Sequence, residues 1–317
     1  MPQATGRDIH VDVPLTNVAI AYRPEGMIAD LIAPIVSVPK QSGTYWEFLA
    51  ADAFRTQQDL RSPGALPNLL TKDISSGTFF AKNYALRDVI PYEDIENADA
   101  GTVITARNMR AEAIKDKLML NAELRVANQV TSGSNVGSYS ATASSWAGAG
   151  ADPVADVNTG INNVHDLTGI RPNSIVMGNY AWRLFREHST VIGRVFGDVD
   201  KGQSARMVSR QQAAALFEME RFLVGGGYIN TADEGLTMSL SQIWNDNCLA
   251  YYAPMQPRID KPSFMYAMRW AKVMAMQAEV HQLPRQKGEE IHLGYYQDEK
   301  LTGASLGFLI TGVGSSQ

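Results

Sequence analysis

One cysteine, Cys248, stands in 317 residues. A lone thiol closes no internal disulfide, so the chain suits a reducing compartment or holds together without covalent sulfur. No Cys/His cluster has zinc-ligand spacing. The five histidines (His10, His165, His188, His281, His292) are scattered, with no pair three or four residues apart; the expectation is no metal and no cofactor. No window of ~18 uninterrupted apolar residues could span a bilayer. Residues 1–30 lack the basic start and apolar core of a signal peptide. Positive charge is not in excess either: the formal net charge is −5. That argues against a chain that coats itself with nucleic acid, but not against one that surrounds it without gripping it. Hydrophobic residues at 45% and charged residues at 19% exclude disorder, and the length allows one large or two ordinary domains.

Catalytic groupings are missing too. Gly225-Gly226-Gly227 follows a strand-like run, but no Lys-Ser/Thr follows it, so it reads as a tight turn and not a phosphate loop. Ser37-Val-Pro-Lys40 matches a Ser-x-x-Lys pattern but is broken by proline. Cys248 sits in an apolar run with no basic neighbour, as a packed thiol does. Glu93-Asp94-Glu96 and Glu289-Glu290 read as solvated carboxylates. In Tyr266–Trp270 the aromatic residues share one strand face and Arg269 takes the other, a half-buried strand before it is a base-stacking platform. No nucleophile, base and orienting group occur together, and no enzymatic activity is expected.

What is present is architectural. Residues 102–130 contain no Gly or Pro and are rich in helix formers. The spacing predicts a helix of roughly 43 Å, capped by Asp99 or Thr102 and stopped by Gly133. Ala106, Ala113, Leu120 and Ala127, with Met109 and Leu124, mark its packing stripe, widened by Ile114 and Leu118. Residues 1–38 read as an extended apolar arm punctuated by proline. Two strand runs, Lys40–Phe48 and Ser76–Asp88, flank a polar, Pro/Gly-broken middle and read as a long projecting hairpin. The Ser/Gly-rich stretch 131–151 reads as a hinge. Within 152–255, Asp152-Pro153 opens a helix ending at Gly169, and strands 172–178 and 221–225 alternate with helices at Tyr180–His188 and Ser209–Glu220, as in a small α/β unit. Residues 243–310 read as a meander of sequential strands.

The fold class is therefore α+β, and the order of parts resembles the Hong Kong 97-type shell fold of tailed-bacteriophage major capsid proteins. The local sequences that carry the resemblance span most of the chain. Leu15-Thr-Asn-Val-Ala-Ile-Ala-Tyr22, Ile28-Ala-Asp30, Val38-Pro39-Lys40 and Ser42-Gly43 with Tyr45 are similar to the arm and first hairpin strand of one branch. Arg171-Pro-Asn-Ser-Ile-Val-Met-Gly178 with Leu184 and His188 is similar to its apical entry, and Phe222-Leu-Val-Gly225, Ile243-Trp244-Asn-Asp246 and Pro262-Ser-Phe264 to its later strands. The resemblance implies an N-arm at 1–38, an E-loop at 39–95, and a peripheral domain at 96–151 with the spine helix. It further implies an apical domain at 152–255 and return strands of the peripheral domain at 256–317.

The implied function is a structural subunit that self-assembles as hexamers and pentamers into an icosahedral head around double-stranded DNA. The implied location is the virion, with assembly in the host cytoplasm. Implied partners are further copies of the chain, a portal protein, a separate scaffolding protein, a decoration protein and packaged DNA by non-specific contact, with no membrane. Because the arm begins at once, no proteolytic trimming is expected. Lys72 is the E-loop lysine that an isopeptide crosslink would use; no partner asparagine stands out, and crosslinking is not expected. Subunit-interface candidates are Arg55, Asp59, Arg61, Lys72, Tyr22, Ile28 and Ile35; the mixed charges near the loop tip are expected to form salt bridges between subunits. The spine carries Arg107, Arg110, Lys115, Lys117 and Arg125 against Glu112, Asp116 and Glu123 on the face away from its stripe. Arg107, Arg110 and Lys117 are the candidates for facing the interior. An encapsulin-type compartment around protein cargo shares the fold and is the alternative; an unrelated α/β enzyme is a weaker third.

Overall fold

The structure, a computed structural model, describes residues 15–16, 26–47, 54–57, 59–64, 66–69, 75–96, 100–141, 145–148, 150–197, 207–270, 277–283 and 287–314. Tyr22 and Lys72 lie outside the described residues.

One sheet is built around its longest strand. β1 (Ile35–Val38), β4 (Lys82–Pro91), β11 (Met265–Trp270), β12 (Gln277–Leu283) and β13 (Gly288–Leu301) form it. β4 runs antiparallel along one edge of β13, while the other edge is shared, β12 pairing with its first half and β11 with its second. Alternation along β13 puts Ile291, Leu293 and Tyr295 on the face that meets the spine helix, and Glu290 and His292 on the other. β2 (Ser42–Glu47) and β3 (Ser75–Phe80) make the separate two-stranded hairpin, which runs into β4 after Ala81.

The second sheet has the order β5 (Gly137–Ser140), β14 (Gly307–Thr311), β10 (Cys248–Tyr251), β6 (Ser174–Gly178) and β7 (Arg221–Gly225). Its core packs helices α4 (Pro153–Thr168), α5 (Asn179–Glu187), α6 (Ser189–Phe196) and α7 (Arg210–Leu216) around Phe185, Trp146 and Met177. The cap of α4 is as the sequence predicts. Asp152 Oδ1 accepts from the backbone of Val154 at 3.1 Å and Ala155 at 3.2 Å, Pro153 opens the first turn, and Gly169 closes it at φ +66°.

Two sequence expectations fail here. The meander does not hold: β12 and β13 form a sequential hairpin, but β11 pairs with β13 and not with β12, and β10 and β14 cross into the second sheet. The expected hinge is stitched down: β5 pairs parallel with β14, and Trp146, fully buried, donates to Asp156 Oδ2 at 2.9 Å. Small residues suggested flexibility, but here they let strands approach closely.

The spine helix, α3, runs from Ala100 to Val130, 31 residues or about 46 Å. Thr102 lies inside it, and Asp99 falls outside the described residues. The packing stripe is rotated from the expected one. Ala111, Ile114, Leu118, Ala122 and Val126 are buried, whereas Met109 is 63% exposed and Ala113 is exposed. Ala127 stays buried as expected. The alanine heptad imitates a seam, but the larger Ile114 and Leu118 decide which side faces Ile90, Ile291 and Leu293. The distal end, Val126 to Val130, enters the core shared by both sheets with Ile32, Phe264 and Leu309.

The charges of the spine are also not arranged as one basic face. Arg107 pairs with Glu289 at 2.5 Å, Arg110 with Asp88 at 2.9 Å and Arg125 with Glu299 at 2.9 Å, all reaching strands of the first sheet. Lys115 and Glu123 are buried.

Candidate assembly interface

The hairpin β2–β3 is half covered. Tyr45 and Phe79 point inward and pack with Val38 and Met268. Each faces a glycine across the ladder, Tyr45 opposite Gly77 and Phe79 opposite Gly43. A Cβ at Gly77 would sit 2.4 Å from the Tyr45 ring, so a bare backbone is what lets the ring lie flat there. The opposite face carries Trp46 and Phe80, both more than half exposed. Beyond the strands, Phe54, Leu60, Leu66 and Leu69 are exposed, the last three at 78%, 88% and 85%. A two-stranded ribbon is marginal alone. Ser75 Oγ, donating to Glu47 at 2.7 Å, ties its two strands together, and it anchors to the body by one face and by Phe80 N–H donating to Asp298 Oδ2 at 2.9 Å. Its remaining apolar surface is exposed, a feature that marks interaction sites.

The arm is fixed from below by one carboxylate. Glu123, fully buried in the spine, accepts from the backbone N–H of Ile28 at 3.0 Å, of Ala29 at 2.7 Å, and from Trp244 Nε1. It thereby ties the start of α1 (Ala29–Ile32) and the loop before β10 to the spine. Burial pushes its carboxyl above the usual range, against the pull of the Trp244 and backbone hydrogen bonds. The Gly225–Gly227 turn belongs to the same joint. The Trp244 ring lies where a Cβ on Gly225 would come within 2.1 Å, and Gly226 N–H donates to Gly26 O at 3.2 Å. A second lock joins spine and sheet: burial opposes the charge on Arg125, but its hydrogen bonds to Glu299 outweigh that and raise its pKa. Arg125 also covers the Tyr84 ring at 3.7 Å.

The residues expected to form subunit contacts separate into groups. Arg55, Asp59 and Arg61 are exposed at the loop tip. Ile28 is buried in its own chain's core and is withdrawn as an interface residue, whereas Ile35 packs against that core but is only half-buried. Lys117 is exposed, and Arg107 and Arg110 are partly exposed but ion-paired. Cys248 is buried, which drives its thiol pKa up and leaves it inert. Sequence reasoning missed Glu123, whose signal was a lone acid among the apolar positions near the end of the spine. It also missed that His281 and His292 meet, with ring centroids 4.8 Å apart; the scattered-histidine reading is corrected on that point. No described helix is long and apolar enough to cross a membrane.

No protein-family model matches the chain. It is similar to the major capsid protein of Pseudomonas phage JBD67, 25% identical over 94% of this chain and 95% of that one. It is likewise similar to the major capsid protein of Burkholderia phage BcepMu, 26% identical over 96% of each. Among solved structures, a phage-related protein from Bordetella bronchiseptica superposes with a TM-score of 0.77 at 21% identity, covering 99% of both chains. The capsid of an empty GTA particle gives 0.57 at 12% identity, covering 99% of this chain and 95% of that one. A virus-like particle from Pyrococcus furiosus gives 0.51 at 7% identity, covering 93% and 95%. In fold the chain is of the Hong Kong 97 shell type.

Proposed function

We infer that this chain, a structural shell subunit of the phage major-capsid type, assembles as hexamers and pentamers into an icosahedral head that encloses double-stranded DNA. One observation carries the reading. End-to-end similarity to phage major capsid proteins coincides with a projecting hairpin whose apolar tip the subunit itself leaves uncovered. In the assembled head, Trp46, Phe80 and the loop-tip leucines lie on a neighbouring copy, and Arg55, Asp59, Arg61 and Lys72 form the charged border of that contact, with Tyr22 and Ile35 on the arm side. At ~25 cal/mol per Å2, each hundred Å2 of apolar contact contributes about 2.5 kcal/mol before ordering costs. Lys117, with the paired Arg107 and Arg110 beside it, faces the interior and the packaged DNA. A portal and a separate scaffolding protein complete the particle, which forms in the host cytoplasm and becomes the virion. The relatives support a structural and not an enzymatic role.

The protein-cargo compartment has fold-level likeness only, since the Pyrococcus furiosus particle shares 7% identity. Negative-stain microscopy of the expressed chain, followed by nuclease treatment of the particles, tests the proposal. Closed shells that protect DNA when co-expressed with packaging proteins are expected; a stable monomer at high concentration, or shells that hold only protein, would refute it. Arg61→Glu is expected to lower particle yield with the melting temperature of the free subunit unchanged. Normal yield would remove the charged border from the proposal.

A further inference from the structure

We propose that the β12–β13 hairpin carries a binding site for a divalent transition-metal ion, Zn2+ foremost, formed by Glu279, His281 and His292. The ladder register puts Glu279 opposite His292 and His281 opposite Glu290. All four side chains therefore rise from the face of the sheet turned away from the spine. One ligand atom from each of Glu279, His281 and His292 lies within 4.8 Å of the others. Two imidazoles and a carboxylate form a donor set suited to Zn2+, and to Ni2+ or Cu2+, over Mg2+ or Ca2+.

Two details point to a ligand and away from a plain surface cluster. Nε2 of His292 is a buried ring nitrogen that makes no well-aligned hydrogen bond, its near neighbour being Glu290 Oε2 at 3.1 Å. His281 Nε2 is hydrogen-bonded to Glu279 Oε2 at 3.3 Å, a separation that two donors sharing a cation also take. In a tetrahedral zinc site, bonds of ~2.0 Å place ligand atoms ~3.3 Å apart, so the site closes by rotating side chains that are only partly buried. Glu290, itself held by Arg87, lies beside the same ring nitrogen and places a further carboxylate oxygen at the edge of the site. Among the described residues β12 pairs with β13 alone, so a cation across the two strands would fasten an edge of that sheet. The site is independent of the shell function above.

Calorimetric titration of the full chain, carrying no affinity histidines, with Zn2+ tests this. One Zn2+ per chain is expected, not displaced by excess Mg2+, and bound about tenfold more weakly or worse by His281→Gln and His292→Gln. Far-UV circular dichroism of the metal-free variants should match the parent. Cu2+ loaded into the unaltered chain should show electron-paramagnetic coupling to two ring nitrogens, a readout that needs no variant. No saturable binding, binding retained in both variants, or a Cu2+ spectrum without ring nitrogens would each overturn the site.

Discussion

The apical helices and the hairpin both rely on aromatic residues, and they use them in opposite ways. In the unit around α4 and α5, Trp146, Trp182, Phe217 and Phe222 surround a fully buried Phe185, with ring centroids 5.8 to 6.2 Å from it. In the hairpin, Tyr45 and Phe79 are spent on a small satellite core, and Trp46, Phe80 and Phe54 face outward. The first arrangement stabilises a subunit, and the second leaves the subunit unfinished. The proposed assembly, in which the chain exists both free and in a lattice, calls for this division of apolar surface. The division can be measured because the two halves answer different assays.

The sharpest way to break the contrast is Phe185→Ala. Removing a fully buried ring with four aromatic neighbours should cost about 3–5 kcal/mol in denaturant unfolding of the free chain. A loss under about 1 kcal/mol would mean that the apical core is not what holds this half together.

Next is Glu123→Ala, which strands the N–H groups of Ile28 and Ala29 and the Trp244 indole; about 3 kcal/mol should be lost. This anchor also carries a pH signature. Its carboxyl titrates above 4.5 in the folded chain. Its stabilisation is therefore full below that ordinary value and is lost as pH rises through the folded one. The unfolding midpoint of the parent, compared with Glu123→Gln, should lose its advantage steadily from about pH 4.5 upward. A constant gap would show that the carboxyl is not shifted.

The smallest expected effect in solution is Trp46→Ser, within about 0.5 kcal/mol for the free chain, combined with a large drop in particle yield. If the free chain is destabilised as much as by Phe185→Ala, the hairpin belongs to the subunit core and the contrast collapses.

How much of this the sequence disclosed depended on whether the cause was local. The α4 caps, the long spine and strands 174–178 and 221–225 were readable, because Asp-Pro, Gly and buried apolar runs act within a few residues. The rotation of the spine was not, since alanine fits either side and only the sheet beneath decides. The pairing of His281 with His292 needed a register. Once a turn is placed between Leu283 and Gly288, antiparallel counting brings them together, but periodicity along one strand never does. The departure of β14 into the other sheet left no trace in its composition. Of the expected interface residues, the exposed loop-tip charges could be anticipated from their lack of a local core, while Ile28 could not be told from an interface residue without seeing Glu123 and Trp244 beneath it.

β14 lies between β5 and β10 in the second sheet, yet it is made about fifty residues after β10 and well over a hundred after β5. During synthesis, β5 therefore has no place to dock and β10 waits with an open edge until residues 307–311 leave the ribosome. The second sheet closes only after residues 307–311 have been made. A nascent chain that has not reached residue 307 thus has an incomplete sheet, with the edge of β10 open to wrong pairing until β14 covers it.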